Sequence, residues 1–333
     1  MGYMDIFEEI KARSLDKLYL FYGPEEYTKG QALSQMTAQL THEDFKDLNY
    51  QMIDGTETNV NTIITACETL PLMSEKRLIV VKNYIGFGNR KTAEEEVLKK
   101  YLERVSDSTC LVFYCRGVID KTRVLYKAIK KHGKVIEFER LKSPELIKWT
   151  AKAFKKSGKE IVPGDLNYFL IRVGNNLEDI NNEIQKLVSY TGETGRITRE
   201  IIDKLVTPSP ENTVFQLIDA VTARQKGEAL LLLEVLLEGG QAVFGIITLI
   251  ARQLKTMLLC KDYIDKGYSQ STIIELLKVH PYMAKKCMTQ SGNFTTQQLR
   301  SSLNSCLELD YGIKSGKMKE RIGIEMLIIK MCI

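Results

Sequence analysis

The turn Gly23-Pro24-Glu25-Glu26-Tyr27-Thr28-Lys29-Gly30 is the first place in the chain where residue types and spacing could do chemistry. In a phosphate-binding loop of the form Gly-x-x-x-x-Gly-Lys-[Ser/Thr], backbone N–H groups cradle phosphate, the lysine reaches the outer phosphates and the hydroxyl holds magnesium. Gly23 and Lys29 fall in register, but Thr28 stands where the second glycine belongs and Gly30 where the hydroxyl belongs. Glu25 and Glu26 bring negative charge to the N–H groups that should meet phosphate. No acidic pair for a metal follows the later apolar runs, since Val81 leads into Lys82-Asn83 and Tyr114 into Cys115-Arg116. The turn reads as the place of a nucleotide site without the chemistry to hold Mg-ATP, so no cofactor is expected. The rival reading keeps Lys29 on phosphate and makes the chain an active ATPase.

Other catalytic chemistry has little to build on. The seven cysteines (67, 110, 115, 260, 287, 306 and 332) include no Cys-x-x-Cys pair and mostly occupy apolar positions of helix or strand patterns. They read as reduced core residues. His42, His132 and His280 are far apart in sequence, so neither a zinc site nor a histidine-based triad is expected, and no catalytic or metal-binding residue is assigned.

A second stretch is chemically different. Leu70-Pro71-Leu72-Met73-Ser74-Glu75-Lys76-Arg77 sets two large apolar side chains in a turn beside polar and charged neighbours. Upstream, Asn59 is suited to cap a helix over roughly 60–69, with Val60, Ile63, Ile64 and Cys67 at helical spacing. Pro71 biases Leu70 out of that helix. Leu72 and Met73 therefore need a partner or a pocket; on pattern alone they could also fold back onto the sheet.

The elements that must position these stretches follow from periodicity. Short apolar runs at 18–22, 50–53, 78–81, 110–114 and 135–138 alternate with helical patterns at 26–40, 60–69, 93–105 and 124–132. That alternation predicts a largely parallel sheet covered by helices. At Leu141-Lys142-Ser143-Pro144-Glu145 the period changes, with Ser143 expected as N-cap and Pro144 at the first helical position. Four helices are expected, from Ser143 to Gly158, from 163 to 173, through Leu177-Ile180-Ile184-Leu187, and over 200–206. Thr207-Pro208-Ser209-Pro210 reads as a linker. Seven further helices follow it, the first beginning with Phe215, Ile218, Ala220 and Val221 and the others at 229–237, 243–264, 272–278, 282–290, 296–312 and 320–331.

The whole is 333 residues with 44% hydrophobic and 27% charged content, ordinary for a globular protein of two or three domains. No apolar run approaches the roughly 18 residues a bilayer span needs, and 1–13 has no signal-like core, so a cytoplasmic protein with no membrane partner is expected. A net charge of +5 permits a polyanion partner without demanding one, and the dispersed Lys pairs at 99–100, 130–131, 155–156 and 285–286 read as solvated helix faces. A nucleic-acid-binding adaptor is the remaining rival.

Taken in order, Phe21-Tyr22-Gly23-Pro24-Glu25-Glu26-Tyr27, Leu70 through Leu78, Gly174-Asn175-Asn176-Leu177-Glu178-Asp179-Ile180-Asn181-Asn182-Glu183-Ile184, Phe215-Gln216-Leu217-Ile218-Asp219-Ala220, Ala251-Arg252-Gln253-Leu254 and Asp310-Tyr311-Gly312-Ile313-Lys314-Ser315-Gly316 carry a resemblance. The sequence resembles the delta subunits of the bacterial DNA polymerase III clamp loader over essentially its whole length. The resemblance implies an α/β AAA-type (P-loop NTPase-like) N-terminal domain at 1–141 that does not bind ATP. A small helical lid at 142–207 and a helical collar domain at 208–333 would follow. It further implies a non-catalytic subunit of a DNA-directed DNA polymerase holoenzyme that binds and opens the sliding clamp (the beta subunit) for loading onto primed DNA during replication. The collar would join the tau/gamma and delta prime subunits. The family's Leu-Phe pair that grips the clamp matches Leu72-Met73, with Met in place of the aromatic and Ser74, Glu75, Lys76 and Arg77 as rim contacts.

Overall fold

The computed structural model describes residues 3–41, 43–88, 94–192, 195–277 and 281–332. Two compact units divide the chain, Met1–Arg140 and Leu141–Ile333.

In the first unit the elements run α1 (Tyr3–Ala12), β1 (Leu18–Tyr22), α2 (Glu26–Leu40), α3 (Lys46–Asn49), β2 (Tyr50–Asp54), α4 (Val60–Glu68), β3 (Arg77–Lys82), α5 (Glu95–Leu102), β4 (Thr109–Tyr114), α6 (Val124–His132) and β5 (Lys134–Glu137). The five strands form one parallel sheet in the order β2-β3-β4-β1-β5. β1 and β4 are buried on both faces, which is why they read as unbroken apolar runs rather than alternations. The period of two still sorts them. Leu18, Leu20, Tyr22, Leu111 and Phe113 meet Ile63, Leu98, Leu102, Leu125 and Ile129 of α4, α5 and α6 on one face. Tyr19, Phe21, Cys110 and Val112 meet Ile6, Ala32, Leu33 and Met36 of α1 and α2 on the other. The α/β expectation for this half holds, with α1 and the single turn α3 as additions that the sequence pattern did not signal.

The second unit opens with α7 (Ser143–Lys156), β6 (Glu160–Ile161), α8 (Pro163–Val173), α9 (Leu177–Thr191), β7 (Arg196–Ile197) and α10 (Arg199–Leu205). Two departures from expectation appear here. Lys142, not Ser143, is the N-cap of α7, because the Glu145 carboxylate accepts from the Lys142 N–H and so closes the first turn one residue earlier. The two-residue strands β6 and β7 pair in parallel, so this segment is helical with one small strand pair rather than purely helical.

The chain continues through α11 (Pro210–Thr222), α12 (Lys226–Glu238), α13 (Val243–Asp265), α14 (Gln270–Leu277), α15 (Pro281–Gly292), α16 (Thr296–Lys314) and α17 (Glu320–Met331). Ser209 caps α11 by accepting from the Asn212 N–H, with Pro210 at the first helical position. α13 is long and apolar enough to cross a bilayer by length and mean hydropathy. Its Ile246, Ile250, Leu254 and Met257 are instead core residues of the helical unit, among Leu217, Leu233, Leu299 and Leu327. A polar pair also lies inside, where sequence patterning suggested an apolar core: buried Gln253 donates to Gln290, which donates to the Phe215 carbonyl. The Gln253 oxygen accepts from the Cys287 thiol, so each amide is satisfied, as burial requires.

All seven cysteines are buried and unpaired. His42, His280, Ala93 (the expected start of the helix now bounded as α5) and Lys278 lie outside the described residues. Lys99-Lys100, Lys130-Lys131 and Lys155-Lys156 occupy the last turns of α5, α6 and α7, where cations complement the carbonyl end of the helix.

Candidate functional site

Because the strands are parallel, the turn after β1 and the loop before β3 lie at opposite ends of the strands. The two stretches that the sequence singles out are therefore separate sites.

At the β1–α2 turn the phosphate-loop lysine is fully buried. Its ammonium donates to the Gly23 carbonyl at 2.9 Å, the Cys115 carbonyl at 2.7 Å and Glu26 Oε1 at 2.8 Å, and sits 4.8 Å from the centre of the Tyr114 ring. All three ammonium protons are thus used inside the protein. Burial lowers the Lys29 pKa, against the opposing pull of Glu26. Two backbone donors of the turn are also engaged: the Gly23 N–H donates to the Gly117 carbonyl and the Glu25 N–H to the Phe138 carbonyl. Glu25, itself buried, turns its carboxylate onto the N-terminus of α2 and accepts from the Tyr27 N–H at 3.2 Å. A carboxylate of the chain thus occupies the helix end that a phosphate would use, and burial raises its pKa. Gly23 is held at φ +117°, and a Cβ there would come within 2.3 Å of the Phe138 carbonyl oxygen, so close backbone packing fills the turn. Lys82 lies 5.9 Å from the Tyr114 ring, and no group of three or more His, Cys, Asp or Glu suited to a metal occurs among the described residues.

The loop before β3 is built differently. Asn59 starts α4 by accepting from the Thr62 N–H. The helix ends at Glu68, before Leu70 and Pro71, and Thr109 donates to the Cys67 carbonyl at 2.6 Å, satisfying one of the terminal acceptors. Beyond that point Leu70, Leu72 and Met73 are 76%, 51% and 76% exposed. The fold-back alternative is therefore not what the loop adopts. Met73 has φ +54°, a left-handed conformation that costs a residue with a Cβ about 1–2 kcal/mol.

What holds this conformation is a residue the sequence did not single out. Asn49, at the end of α3 and fully buried, accepts from the Leu72 N–H at 2.7 Å and donates to the Leu72 carbonyl at 2.7 Å. The same amide nitrogen lies 3.1 Å from the Ser74 hydroxyl and 3.1 Å from the Phe45 carbonyl. β2 and β3 begin side by side, with Tyr50 opposite Leu78, and this brings Asn49 to a loop 23 residues away.

Of the six expected contact residues, Leu72, Met73 and Glu75 face outward. Ser74 is half-buried against Asn49; Lys76, half-buried, donates to the Leu15 carbonyl; Arg77 opens β3 and donates to Gln51. The second three anchor the loop through internal partners. Leu48 of α3, next to Asn49, is also exposed.

Two protein-family models match the chain: "DNA polymerase III, delta subunit" over residues 19–139 and "DNA polymerase III delta subunit, C-terminal domain" over residues 211–331. The chain is similar to DNA polymerase III subunit delta of Bacillus subtilis (strain 168), 29% identical over 333 residues that cover 98% of this chain and 96% of that one. It is also similar to the probable DNA polymerase III subunit delta of Aquifex aeolicus (strain VF5), 22% identical over 269 residues, covering 78% of this chain and 75% of the relative. Among solved structures, the Bacillus subtilis DNA clamp loader delta protein aligns with a TM-score of 0.66 and 28% identity, covering 99% of each chain.

Proposed function

This chain belongs to the DNA polymerase III delta subunit family, and from that premise we propose that it is the clamp-loader subunit that docks on a sliding clamp through Leu72 and Met73. The observation that carries the reading is an apolar pair, 51% and 76% exposed, presented on a loop that is fixed from beneath. An exposed apolar pair held in a strained backbone is the expected look of a docking feature rather than a folding one. Leu70 and Glu75 extend the outward face, while Ser74, Lys76 and Arg77 support it.

The reaction is mechanical. Burying the exposed parts of Leu72 and Met73 in a pocket on the clamp contributes about 2–4 kcal/mol. That is too little for tight binding after the costs of association, so a surrounding rim is needed. Clamp opening follows if the surface that accepts the pair differs between open and closed rings, because a ligand shifts an equilibrium only by its differential affinity. On this reading the chain has no enzymatic activity of its own. The saturated Lys29 ammonium and the Glu25 carboxylate on α2 argue against the ATPase alternative. The first unit is then an AAA-type module with a lapsed nucleotide site, 142–207 its lid, and 208–333 the collar that joins the tau/gamma and delta prime subunits around primed DNA in the cytoplasm.

The test is a titration of the wild type and of Leu72→Ala/Met73→Ala with a purified sliding clamp. The double variant should bind about 30- to 700-fold more weakly, from the burial above and 1.4 kcal/mol per decade. Undiminished binding would sink the docking reading.

A further inference from the structure

We propose that Asn49 is the positioning residue for docking, holding Leu72 and Met73 in the outward geometry that the clamp pocket requires; this rests on the docking reading above. Met73 carries a left-handed backbone that a free loop would leave for the commoner regions. The Asn49 carboxamide brackets that residue on both sides, through the N–H and carbonyl of Leu72 and the hydroxyl of Ser74. The bonds to Leu72 are to backbone, so they fix the path of the loop whatever its side chains are. Asn49 is fully buried, so its carboxamide meets the loop from the protein side of these part-buried bonds. Its nitrogen also reaches the Phe45 carbonyl, tying the loop to the segment that leads into β2. Asn49 itself presents nothing to a partner. Its contribution is preorganisation: apparent affinity falls in proportion to the population of the binding-competent conformer.

Losing this brace lets the loop sample other paths, and a competent population of about one tenth would weaken binding about tenfold. A thermodynamic cycle separates this from a general structural role. The wild type, Asn49→Ala, Leu72→Ala/Met73→Ala and the triple variant are titrated with purified sliding clamp, at clamp concentrations high enough for the weakened proteins to bind. Thermal unfolding is followed in parallel. Asn49→Ala should bind about tenfold more weakly than wild type, yet change binding less than twofold in the Leu72→Ala/Met73→Ala background, because there is no longer a pair to position. Asn49→Asp fills the same volume and keeps the acceptor for the Leu72 N–H, but sets a carboxylate oxygen against the Leu72 and Phe45 carbonyls. A folded Asn49→Asp protein should lose affinity at least as much as Asn49→Ala at pH 8, where the carboxyl is ionised; Asn49→Ser, whose hydroxyl is too short to reach the loop, should also bind about tenfold more weakly and covers the case in which neither of the others folds. A loss that is equal in both backgrounds, or wild-type binding by a folded Asn49→Ala, Asn49→Asp or Asn49→Ser protein, overturns the assignment while leaving the docking reading intact. Wild-type binding by Leu72→Ala/Met73→Ala overturns both.

Discussion

Replacing Lys29 should damage the fold and leave nucleotide response untouched. In a working phosphate loop the lysine contributes to ligand binding, and its loss spares the empty protein. Here Lys29→Ala removes three buried methylene groups, each contributing about 0.8 kcal/mol. It also strips the Gly23 and Cys115 carbonyls of their ammonium donor, at about 1–3 kcal/mol for each group that water cannot reach. Against this, the desolvation that lowers the Lys29 pKa is relieved, and Glu26, about two-fifths exposed, is free to hydrate. A net loss of about 2–4 kcal/mol follows, the usual range for a large-to-small change at a buried site. Lys29→Met, which keeps the stem and loses the charge, should cost about half as much. Urea denaturation followed by far-UV circular dichroism measures both. Trp149, the single tryptophan, lies in α7 of the second unit and supplies a second probe by fluorescence. Addition of Mg-ATP should move none of the transitions, since a ligand stabilises only a fold that binds it. A Lys29→Ala protein within about 1 kcal/mol of wild type, or ATP stabilisation of wild type that this substitution abolishes, would refute the reasoning.

Glu25 offers a pH test. Its carboxyl has a raised pKa in the fold because it is buried, so between the ordinary and the raised value the folded state binds more protons than the unfolded one. Stability then falls as pH rises through that window, and the penalty is fully present above it. Glu25→Gln, which keeps an acceptor for the Tyr27 N–H, should compare best with wild type at pH 7–8 and lose ground as pH falls toward 4.5; denaturation midpoints that show the opposite trend would contradict the burial argument. Met73→Gly should relieve the left-handed strain, about 1–2 kcal/mol, and offset it with the extra chain entropy of glycine, about 0.5–1 kcal/mol. Its folding stability should therefore stay within about 1 kcal/mol of wild type while clamp binding falls about tenfold. A large loss of stability in that variant would mean that the Met73 side chain packs inward.

Much of the fold was legible because its signals are local. β1, α2, α6, α8 and α17 have the ends that caps, glycines and apolar period imply. The departures of the 23–30 turn from a phosphate-loop pattern are properties of the sequence itself, since Gly30 stands where the hydroxyl belongs and two glutamates lie in the same turn. What was not legible depends on contacts between distant residues. A lysine is exposed by default, and nothing near position 29 announces that the carbonyl of Cys115 will receive its ammonium. Asn49 ends a single helical turn, a bland position, and gains meaning only when β2 and β3 align. The rim residues show the same limit. Serine, lysine and arginine beside an apolar pair do not announce the internal partners that Ser74, Lys76 and Arg77 have here.

The place where the loop joins the sheet has a mechanical consequence. Force applied at Met73 enters along β3 through the chain and along β2 through Asn49, two neighbouring strands gripped at the same end. A pull directed along the strand axes loads their inter-strand bonds in shear, many at once, whereas a pull across the sheet would open them one at a time. β3 lies in register with the edge strand β2 over five residue pairs and with β4 over six, so such a load passes from both gripped strands into the interior of the sheet. If the loop docks as proposed, the sheet would act as a stiff handle behind a small apolar tooth, so that strain would pass to the partner instead of dissipating in the loop.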